Sequence, residues 1–377
     1  MCPYHFKILK TVDEEWNKNL LNCGYSTFFQ TREYFISNSL DHFPIFIYVL
    51  NEKEEIVGQL AIRIINTSVL YSSSFFKTIL NLISKITRRA VWTYGPIIHS
   101  DNKNTRLEIL QQILTAVERV SEQYDLVHVE GQTPPLDYMI DDDYIQKFEK
   151  NKYVKNVSAT YLCDLNRSIE EIWNDVSKKT KGDINRAKRR NLTPKILETT
   201  DELKEYLILN QEWAKSKGLV ISEPFKNFDL MWKNHKVGIE KIFLTYENDK
   251  LISGVMIGFF NNIGYTNFVI NSYTNVTNLG GTILTWYVLE WAKNAGLRIY
   301  DFSGGLTLNK EQEKNSLLFY KSKWGGKETP YYIFIKPRKK ISYKLYLILF
   351  NVVRKYHYFL MKYCRFLKNL TIVKNLM

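Results

Sequence analysis

The same order of predicted elements occurs twice along this chain, and this repeat restricts the fold more than any other feature. The first copy consists of a hairpin of strands over 44–50 and 56–65, a helix over 105–123 and a strand over 125–130. The second copy consists of a hairpin of strands over 241–246 and 251–260, a helix over 282–295 and a strand over 297–302. Hairpins followed by a helix and a further strand are typical of a mixed sheet flanked by helices. We therefore predict an α/β protein with two similar lobes, residues 1–155 and 156–335, and with ligand bound between them.

The second copy leads into a segment that is suited to a binding site. Its helix opens at Gly280-Gly281, stops at Gly296 and carries apolar residues at helical spacing, which predicts a single buried stripe. The strand that follows ends at Ser303-Gly304-Gly305. Backbone that carries no side chain can approach a ligand closely. We therefore predict the functional site at this strand end.

The net charge of +13 is concentrated at the end of the chain. Residues 336–377, the predicted third segment, contain 11 Lys and Arg and no acidic residue, whereas residues 1–335 are nearly balanced. Wound as a helix, this segment is basic and aromatic-rich, and its apolar run is too short to span a bilayer. Two interpretations remain open: residues 341–377 lie on the inner face of the cell membrane, or they form a helix pair docked on the first lobe. A predicted helix over 75–89 has the same character and favours membrane contact.

The cysteine, histidine and N-terminal patterns argue against several classes of protein. Four cysteines lack paired spacing, which argues against a disulfide framework and favours a reducing compartment. Six histidines are scattered without metal-ligand spacing, so we predict no metal site. The first residues turn acidic before an apolar run develops, so we expect no secretory signal. These patterns together predict a cytoplasmic protein.

A basic cluster lies between the two predicted lobes. Residues 178–191 contain seven Lys and Arg and one acidic residue. Such a cluster suits contact with the phosphate groups of a nucleotide sugar, a lipid pyrophosphate or an RNA backbone. The alternative is a solvated helix face, which is the usual role of a charged run.

Several short motifs occur in the order found in one known family. They are Phe28-Phe29-Gln30-Thr31, Tyr94-Gly95-Pro96, Asp164-Leu165 followed by residues 181–191, Tyr300-Asp301-Phe302-Ser303-Gly304-Gly305, and Tyr320-Lys321 ahead of Trp324-Gly325-Gly326. Over roughly residues 20–335 the chain resembles the FemABX-type aminoacyltransferases, which build peptidoglycan interpeptide bridges. The resemblance implies a double acetyltransferase-like (GNAT) fold. It also implies transfer of an amino acid from aminoacyl-tRNA to an amine of a lipid- or nucleotide-linked cell-wall peptide precursor, without a further cofactor.

The motifs and the basic cluster supply the predicted substrate-binding residues. These are Gln30, Lys181, Asn185, Arg186, Asn267, Gly304, Gly305 and Tyr320. Three of them depart from the family pattern, because Lys181 replaces an arginine, Asn267 a tyrosine and Tyr320 a phenylalanine. A long helical hairpin that some members carry has no counterpart between 191 and 241.

Aminoacyl transfer needs few catalytic groups, because an activated ester and a neutral amine react once they are held in register. We predict that Lys321 stabilises the oxyanion or the departing ribose oxygen as an ammonium ion. Tyr265 is predicted to hydrogen-bond the acceptor or to relay a proton. Asp301 has two candidate roles, acceptance of the amine proton and capping of the turn after Phe302, and we favour the second.

Two other classes of function remain open. Residues 276–281 occupy the place of the pyrophosphate loop of acetyltransferases, although they lack its leading Arg or Gln. This position keeps an N-acyltransferase that uses acetyl-coenzyme A to modify a surface-polysaccharide precursor as an alternative. The third interpretation is a non-catalytic pair of lobes that acts as a membrane scaffold.

Overall fold

The computed structural model describes residues 3–37, 42–65, 88–216, 224–272, 279–304 and 317–348. The strands of the first half are β1 (His5–Leu9), β2 (His42–Leu50), β3 (Ile56–Ile65), β4 (Arg89–Trp92), β5 (Ile97–Ile98), β6 (His128–Gln132) and β7 (Val154–Asp164). The strands of the second half are β8 (Thr193–Ile196), β9 (Glu240–Glu247), β10 (Lys250–Phe260), β11 (Ile263–Asn271), β12 (Ile299–Asp301) and β13 (Lys327–Pro337). They form one sheet in the order β1-β2-β3-β4-β6-β13-β7-β12-β11-β10-β9-β8, with β5 paired to β3.

Helices cover this sheet along both halves of the chain. The first half contains α1 (Glu15–Leu21), a 3-10 turn (Phe28–Gln30), α2 (Arg32–Ser37), α3 (Lys103–Gln123) and α4 (Asp142–Lys150). The second half contains α5 (Ile169–Asp175), α6 (Lys178–Arg189), α7 (Thr200–Ser216), α8 (Phe228–Val237), α9 (Leu279–Asn294) and α10 (Leu317–Ser322).

The two halves repeat one topology. In the first half, β2, β3 and β4 are antiparallel, α3 crosses over, and β6 pairs in parallel with β4. In the second half, β9, β10 and β11 are antiparallel, α9 crosses over, and β12 pairs in parallel with β11. The prediction of an α/β fold with two similar lobes is confirmed.

The last strand of each half crosses to the other half. β7 follows the first repeat but pairs with β12 of the second, and β13 ends the second repeat but lies between β6 and β7. The predicted boundary between 155 and 156 therefore falls inside β7, and the one between 335 and 336 falls inside β13. Because each half completes the sheet of the other, the lobes share a continuous hydrogen-bonded surface.

α9 is buried more completely than its sequence suggests. We expected one buried stripe, but Gly280, Trp286 and Leu289 are buried together with the predicted stripe residues Ile283 and Leu284. The reason is that α9 packs against β9 and β10 on one side and against α6 on the other. The expectation of a single buried face was wrong, because a sequence pattern does not reveal that a second helix will cover the outer face.

An aromatic cluster joins the two halves. The ring of Phe29 makes edge contacts with Tyr94 of its own half and with Tyr265 of the second half, each at 5.4 Å between centroids. Tyr94 in turn contacts Tyr331 on β13 at 5.4 Å. Edge-to-face pairs of this kind stabilise by about 0.5–1.5 kcal/mol beyond their buried area. The cluster therefore holds both halves in register around the end of β12.

The start of the basic tail is helical and docks on the first half. Residues 340–348 form a helix whose Tyr346 hydroxyl accepts a hydrogen bond from Arg89 on β4. The rings of Tyr343 and Tyr346 pack on His128. Residues 349–377 lie outside the described residues, and so do residues 75–87 of the helix predicted over 75–89. Arg89, the last residue of that prediction, begins β4. Among the described residues no helix combines the length and apolarity needed to cross a membrane.

Candidate active site

The predicted site at the end of β12 is a buried carboxyl group held by two hydrogen bonds. Asp301 is 1% exposed, and its Oδ1 accepts from Thr160 Oγ1 at 2.5 Å and from the Ser303 N–H at 2.7 Å. The second bond closes the turn that follows the strand, as capping by an aspartate does. Burial raises the pKa of Asp301 to about 6, although these hydrogen bonds and the charge of Lys321 act in the opposite direction. A carboxyl group with this pKa can exchange a proton near neutral pH.

Lys321 lies beside Asp301 as a second buried ionisable group. It is 6% exposed on α10, and its Nζ donates to the carbonyl oxygen of Gly304. Burial lowers the pKa of Lys321 to about 8, while the charge of Asp301 raises it. Gly304 takes one of the three N–H donors of the ammonium group. A desolvated ammonium ion next to bare backbone is an arrangement that can stabilise a developing negative charge.

Tyr265 occupies the neighbouring strand. Its Cα is paired with that of Asp301 across the parallel β11–β12 ladder, and its side chain is 1% exposed. The hydroxyl is buried and has no hydrogen-bond partner among the residues that the structure describes. Burial and the charge of Asp301 raise the pKa of Tyr265 well above its usual value. The structure thus places Tyr265 opposite Asp301 on the neighbouring strand, and it places Lys321 on α10 close enough for its charge to act on Asp301.

The first half contributes a residue that sequence reasoning did not assign to the site. Tyr94 follows β4, and its hydroxyl approaches Asp301, Thr160 and Gly304 without meeting hydrogen-bond geometry. The contact with Tyr94 lowers the pKa of Asp301, although burial outweighs it. The only signal for Tyr94 in the sequence was its membership of the motif Tyr94-Gly95-Pro96. Thr160 on β7 carried no such signal.

Several predicted substrate-binding side chains are already engaged inside the protein. Gln30 is fully buried, its Nε2 donates to Thr93 O at 2.8 Å, and its Oε1 accepts from the Ala61 N–H at 2.8 Å. The hydroxyl of Tyr320 shares a hydrogen bond with Thr285 of α9 at 3.0 Å. The polar groups of both side chains are therefore engaged in hydrogen bonds within the protein.

Asn267 belongs to a separate polar cluster on the second half, in which two asparagines donate to Glu240. Asn267 lies at a bulge between β10 and β11 and donates to the buried Glu240 at 3.2 Å. Asn234 donates to the other oxygen of Glu240 at 3.1 Å. Burial raises the pKa of Glu240, which the two amides oppose. Gly305 lies outside the described residues, whereas Gly304 bonds to Lys321.

The basic cluster is the exposed face of α6. Thr180, Ile184 and Ala187 are buried. On the outer face, Asn185 is exposed, Arg186 pairs with Asp183, and the half-buried Lys181 donates to Asn174 O at 3.0 Å. The helix begins next to α10, because the N–H of its capping residue Ser177 donates to Lys323 O at 2.9 Å. The N-terminus of α6 is therefore hydrogen-bonded to a residue that lies two positions after Lys321.

A glycine is required at position 325, in the turn that connects α10 to β13. Its φ of +75° is a conformation that residues with side chains rarely adopt, and an added Cβ would lie 2.3 Å from Asp175 Cβ. The residue after Trp324 must therefore be a glycine to bring α5 and α10 together. In the described part of the chain, no three His, Cys, Asp or Glu side chains are placed to hold a metal ion.

The topology defines this chain as a tandem of two GNAT-like lobes, and the solved structures that match it have the same fold. The crystal structure of FemX aligns over 90% of this chain and 99% of its own, with a TM-score of 0.64 and 12% identity. The C-terminal domain of a putative lysylphosphatidylglycerol synthetase from Agrobacterium fabrum aligns over 88% and 96%, with a TM-score of 0.53 and 10% identity. A tandem GNAT protein from the clavulanic acid biosynthesis pathway aligns over 88% and 97%, with a TM-score of 0.52 and 11% identity.

The TM-scores of these alignments show a shared fold at low sequence identity, and the expected double GNAT architecture is confirmed. No protein-family model matches the chain, and no curated protein matches it by sequence.

Proposed function

We propose that this protein is an aminoacyltransferase that moves an amino acid from aminoacyl-tRNA to an amine of a lipid- or nucleotide-linked cell-wall peptide precursor. The observation that carries the proposal is the buried pair of Asp301 and Lys321 where the two halves meet. Both pKa values are shifted toward neutrality, to about 6 and about 8. Groups with such pKa values are typical of catalytic sites. The names of FemX and of the lysylphosphatidylglycerol synthetase domain support a transferase of the cell envelope.

The residues of the site can supply each proton transfer and charge contact that the proposed reaction needs. The neutral acceptor amine attacks the ester carbonyl carbon of the donor, and an amide C–N bond forms while the ester C–O bond breaks. The carboxylate of Asp301 accepts the proton that the amine loses. The ammonium group of Lys321 stabilises the oxyanion, and Asp301 then passes the amine proton to the departing ribose oxygen, which leaves as a hydroxyl group. Tyr265 and Tyr94 line the route between amine and carboxylate.

The basic face of α6 suits the phosphates that both substrates would carry. Its first turn is hydrogen-bonded to the segment that follows Lys321, through Ser177 and Lys323. Phosphates along this helix would therefore lie close to the reacting groups. Lys181 and Arg186 are the basic residues that we propose for this contact, with Asn185 between them on the exposed side.

The donor and the product can be identified directly. The full-length protein would be incubated with a mixture of charged tRNAs, and separately with acetyl-coenzyme A, in the presence of extracted envelope precursors. The expected result is a precursor whose mass rises by one amino-acid residue in the first incubation only. An added acetyl group in the second incubation would instead establish the N-acyltransferase alternative. No mass change in either would leave the scaffold interpretation.

Membrane contact is proposed through the end of the chain. On the docked helix, Ile341, Leu345 and Ile348 repeat at helical spacing and are 78%, 48% and 59% exposed. Residues 349–377 add six Lys and Arg and no acid. Each basic residue near an anionic surface contributes about 1 kcal/mol of attraction. A lipid-linked acceptor would then meet the enzyme at the membrane, where its effective concentration is high.

Deleting residues 349–377 is expected to weaken binding to phosphatidylglycerol vesicles at least about tenfold at low salt, because the basic residues are lost. Activity on a soluble acceptor should remain, since the docked helix and the site are retained. Vesicle co-sedimentation at two salt concentrations measures the effect. A Leu345→Ser and Ile348→Ser double variant tests the apolar stripe separately. Undiminished vesicle binding by the shortened chain would contradict membrane contact through this segment.

A further inference from the structure

A cavity of about 770 Å³ lies between the two halves at the start of β12. Ile299, the first residue of β12, lines it, whereas Asp301 ends the same strand at the transfer site. At about 3.3 Å per residue the two positions are roughly 7 Å apart along the strand. None of Asp301, Tyr265 and Lys321 lines this cavity. It is therefore separate from the proposed transfer site.

One wall of the cavity is formed by His99, whose ring is held in place by the protein. His99 Nε2 lies 3.0 Å from Gln59 Oε1, and the amide nitrogen of Gln59 donates to Trp16 O at 3.1 Å. Because Gln59 Oε1 can only accept, the imidazole proton lies on Nε2 and Nδ1 keeps its lone pair. His99 Nδ1 is buried without a hydrogen-bond partner in the described structure. A buried polar atom of this kind costs free energy until a donor satisfies it.

The same neutral state of His99 follows from its surroundings. Burial lowers the pKa of His99 to about 4, so the ring is uncharged at neutral pH. A neutral Nδ1 accepts a hydrogen bond from an N–H or O–H group and does not repel a cation. His99 therefore adds no positive charge to this wall that would repel the amine end of a ligand.

The rim of the cavity carries one charge of each sign, from different halves. Asp101 from the first half and Arg298 from the second are both exposed and both line the opening. The inner surface between them includes the apolar side chains of Ile263 and Ile299. An ammonium group, a carboxylate group and a small apolar body would match these three surfaces.

We propose that this cavity binds a zwitterionic amino acid or short peptide. The carboxylate pairs with the Arg298 guanidinium, and the ammonium group pairs with the Asp101 carboxylate beside the uncharged ring of His99. The volume falls within the range of about 300–1,000 Å³ that small-molecule sites occupy. Because Asp101 and Arg298 belong to different halves, the ligand also bridges the lobes.

Calorimetric titration of the full-length protein with glycine, L-alanine, L-lysine and L-alanyl-L-alanine, each to about 10 mM, tests the proposal. At least one probe is expected to bind saturably. Arg298→Met and Asp101→Asn are each expected to raise its Kd about tenfold, the usual effect of removing one charge-assisted hydrogen bond. Both residues are exposed, so the variants should fold. Lys150→Met and Glu149→Gln remove exposed charges on α4 as matched controls and should leave Kd unchanged.

The outcomes separate this site from the proposed transfer reaction. A Lys321→Met variant is expected to bind the same probe with unchanged Kd, because Lys321 does not line the cavity. Absence of saturable binding by all four probes would overturn the proposal. Binding that survives in both Arg298→Met and Asp101→Asn within twofold would also overturn it, because the ligand would then lie elsewhere.

Discussion

Replacing Lys321 with methionine is expected to lower kcat about 100- to 1,000-fold with little change in KM. The magnitude is that of losing one preorganised donor to a developing oxyanion, and an effect on kcat alone is the signature of an interaction made in the transition state. The side chains have similar length, so the variant removes the charge and leaves the packing of α10 in place. Single-turnover measurements with a charged donor and a soluble acceptor would report the rate of the chemical step.

The stability of this variant distinguishes a catalytic lysine from a structural one. The pKa of Lys321 is lower in the folded state than in the unfolded state. Its contribution to stability is therefore fully present when the pH is above the unfolded-state pKa, and it is lost as the pH falls through about 8. At pH 7 the buried ammonium group therefore destabilises the fold, and methionine relieves part of this cost. Methionine cannot form the hydrogen bond to Gly304 O, and this loss lowers the stability of the variant. We expect a melting temperature equal to or above that of the parent chain.

Lys323→Met is the matched control for this experiment. Lys323 follows two residues later, is only half-buried, and its Nζ lies 4.2 Å from the centroid of the exposed Phe319 ring. We expect its turnover to stay within about twofold of the parent, since the substitution changes only the side chain and keeps the backbone bond from Ser177 to Lys323 O. Normal turnover of Lys321→Met, or equal losses in the two variants, would remove Lys321 from the mechanism.

The transfer rate is expected to follow a bell-shaped pH profile with limbs near 6 and 8. The rate should rise as Asp301 ionises at about 6, because a carboxylate accepts the amine proton, and fall as Lys321 loses its charge at about 8. The two groups influence each other, so the apparent values belong to the pair. Profiles of kcat/KM report these values for the free enzyme.

Variants assign the limbs of this profile. Lys321→Arg keeps its charge throughout the measured range, so the alkaline limb should move to higher pH. Asp301→Asn should lose the acid limb and about 100-fold of the rate at pH 7, which is within the usual contribution of a general base. An alkaline limb that stays near 8 in Lys321→Arg would show that another group, such as the acceptor amine, titrates there.

The elements of the fold were predictable where the pattern is local. The hairpin strand over 56–65 matches β3, and the helix predicted over 105–123 matches α3 within two residues. The strand predicted from Asp125 begins three residues later, at His128, because Asp125 adopts a φ of +54° and continues the turn. The same local reasoning located Asp301 at a strand end. It favoured capping over catalysis for Asp301, and the structure shows the capping bond together with a pKa suited to proton transfer.

By itself, the sequence determined the repeat, the two-lobed α/β fold and the glycine-rich strand end with its lysine, because hydrophobic period and turn residues act over a few positions. Only the tertiary structure decided that β13 lies between β6 and β7 and that Tyr94 and Thr160 meet Asp301. These contacts join residues far apart in the chain, and no local pattern encodes such a pairing. Burial by these distant residues removes water from Asp301 and Lys321 and so moves their pKa values to about 6 and about 8.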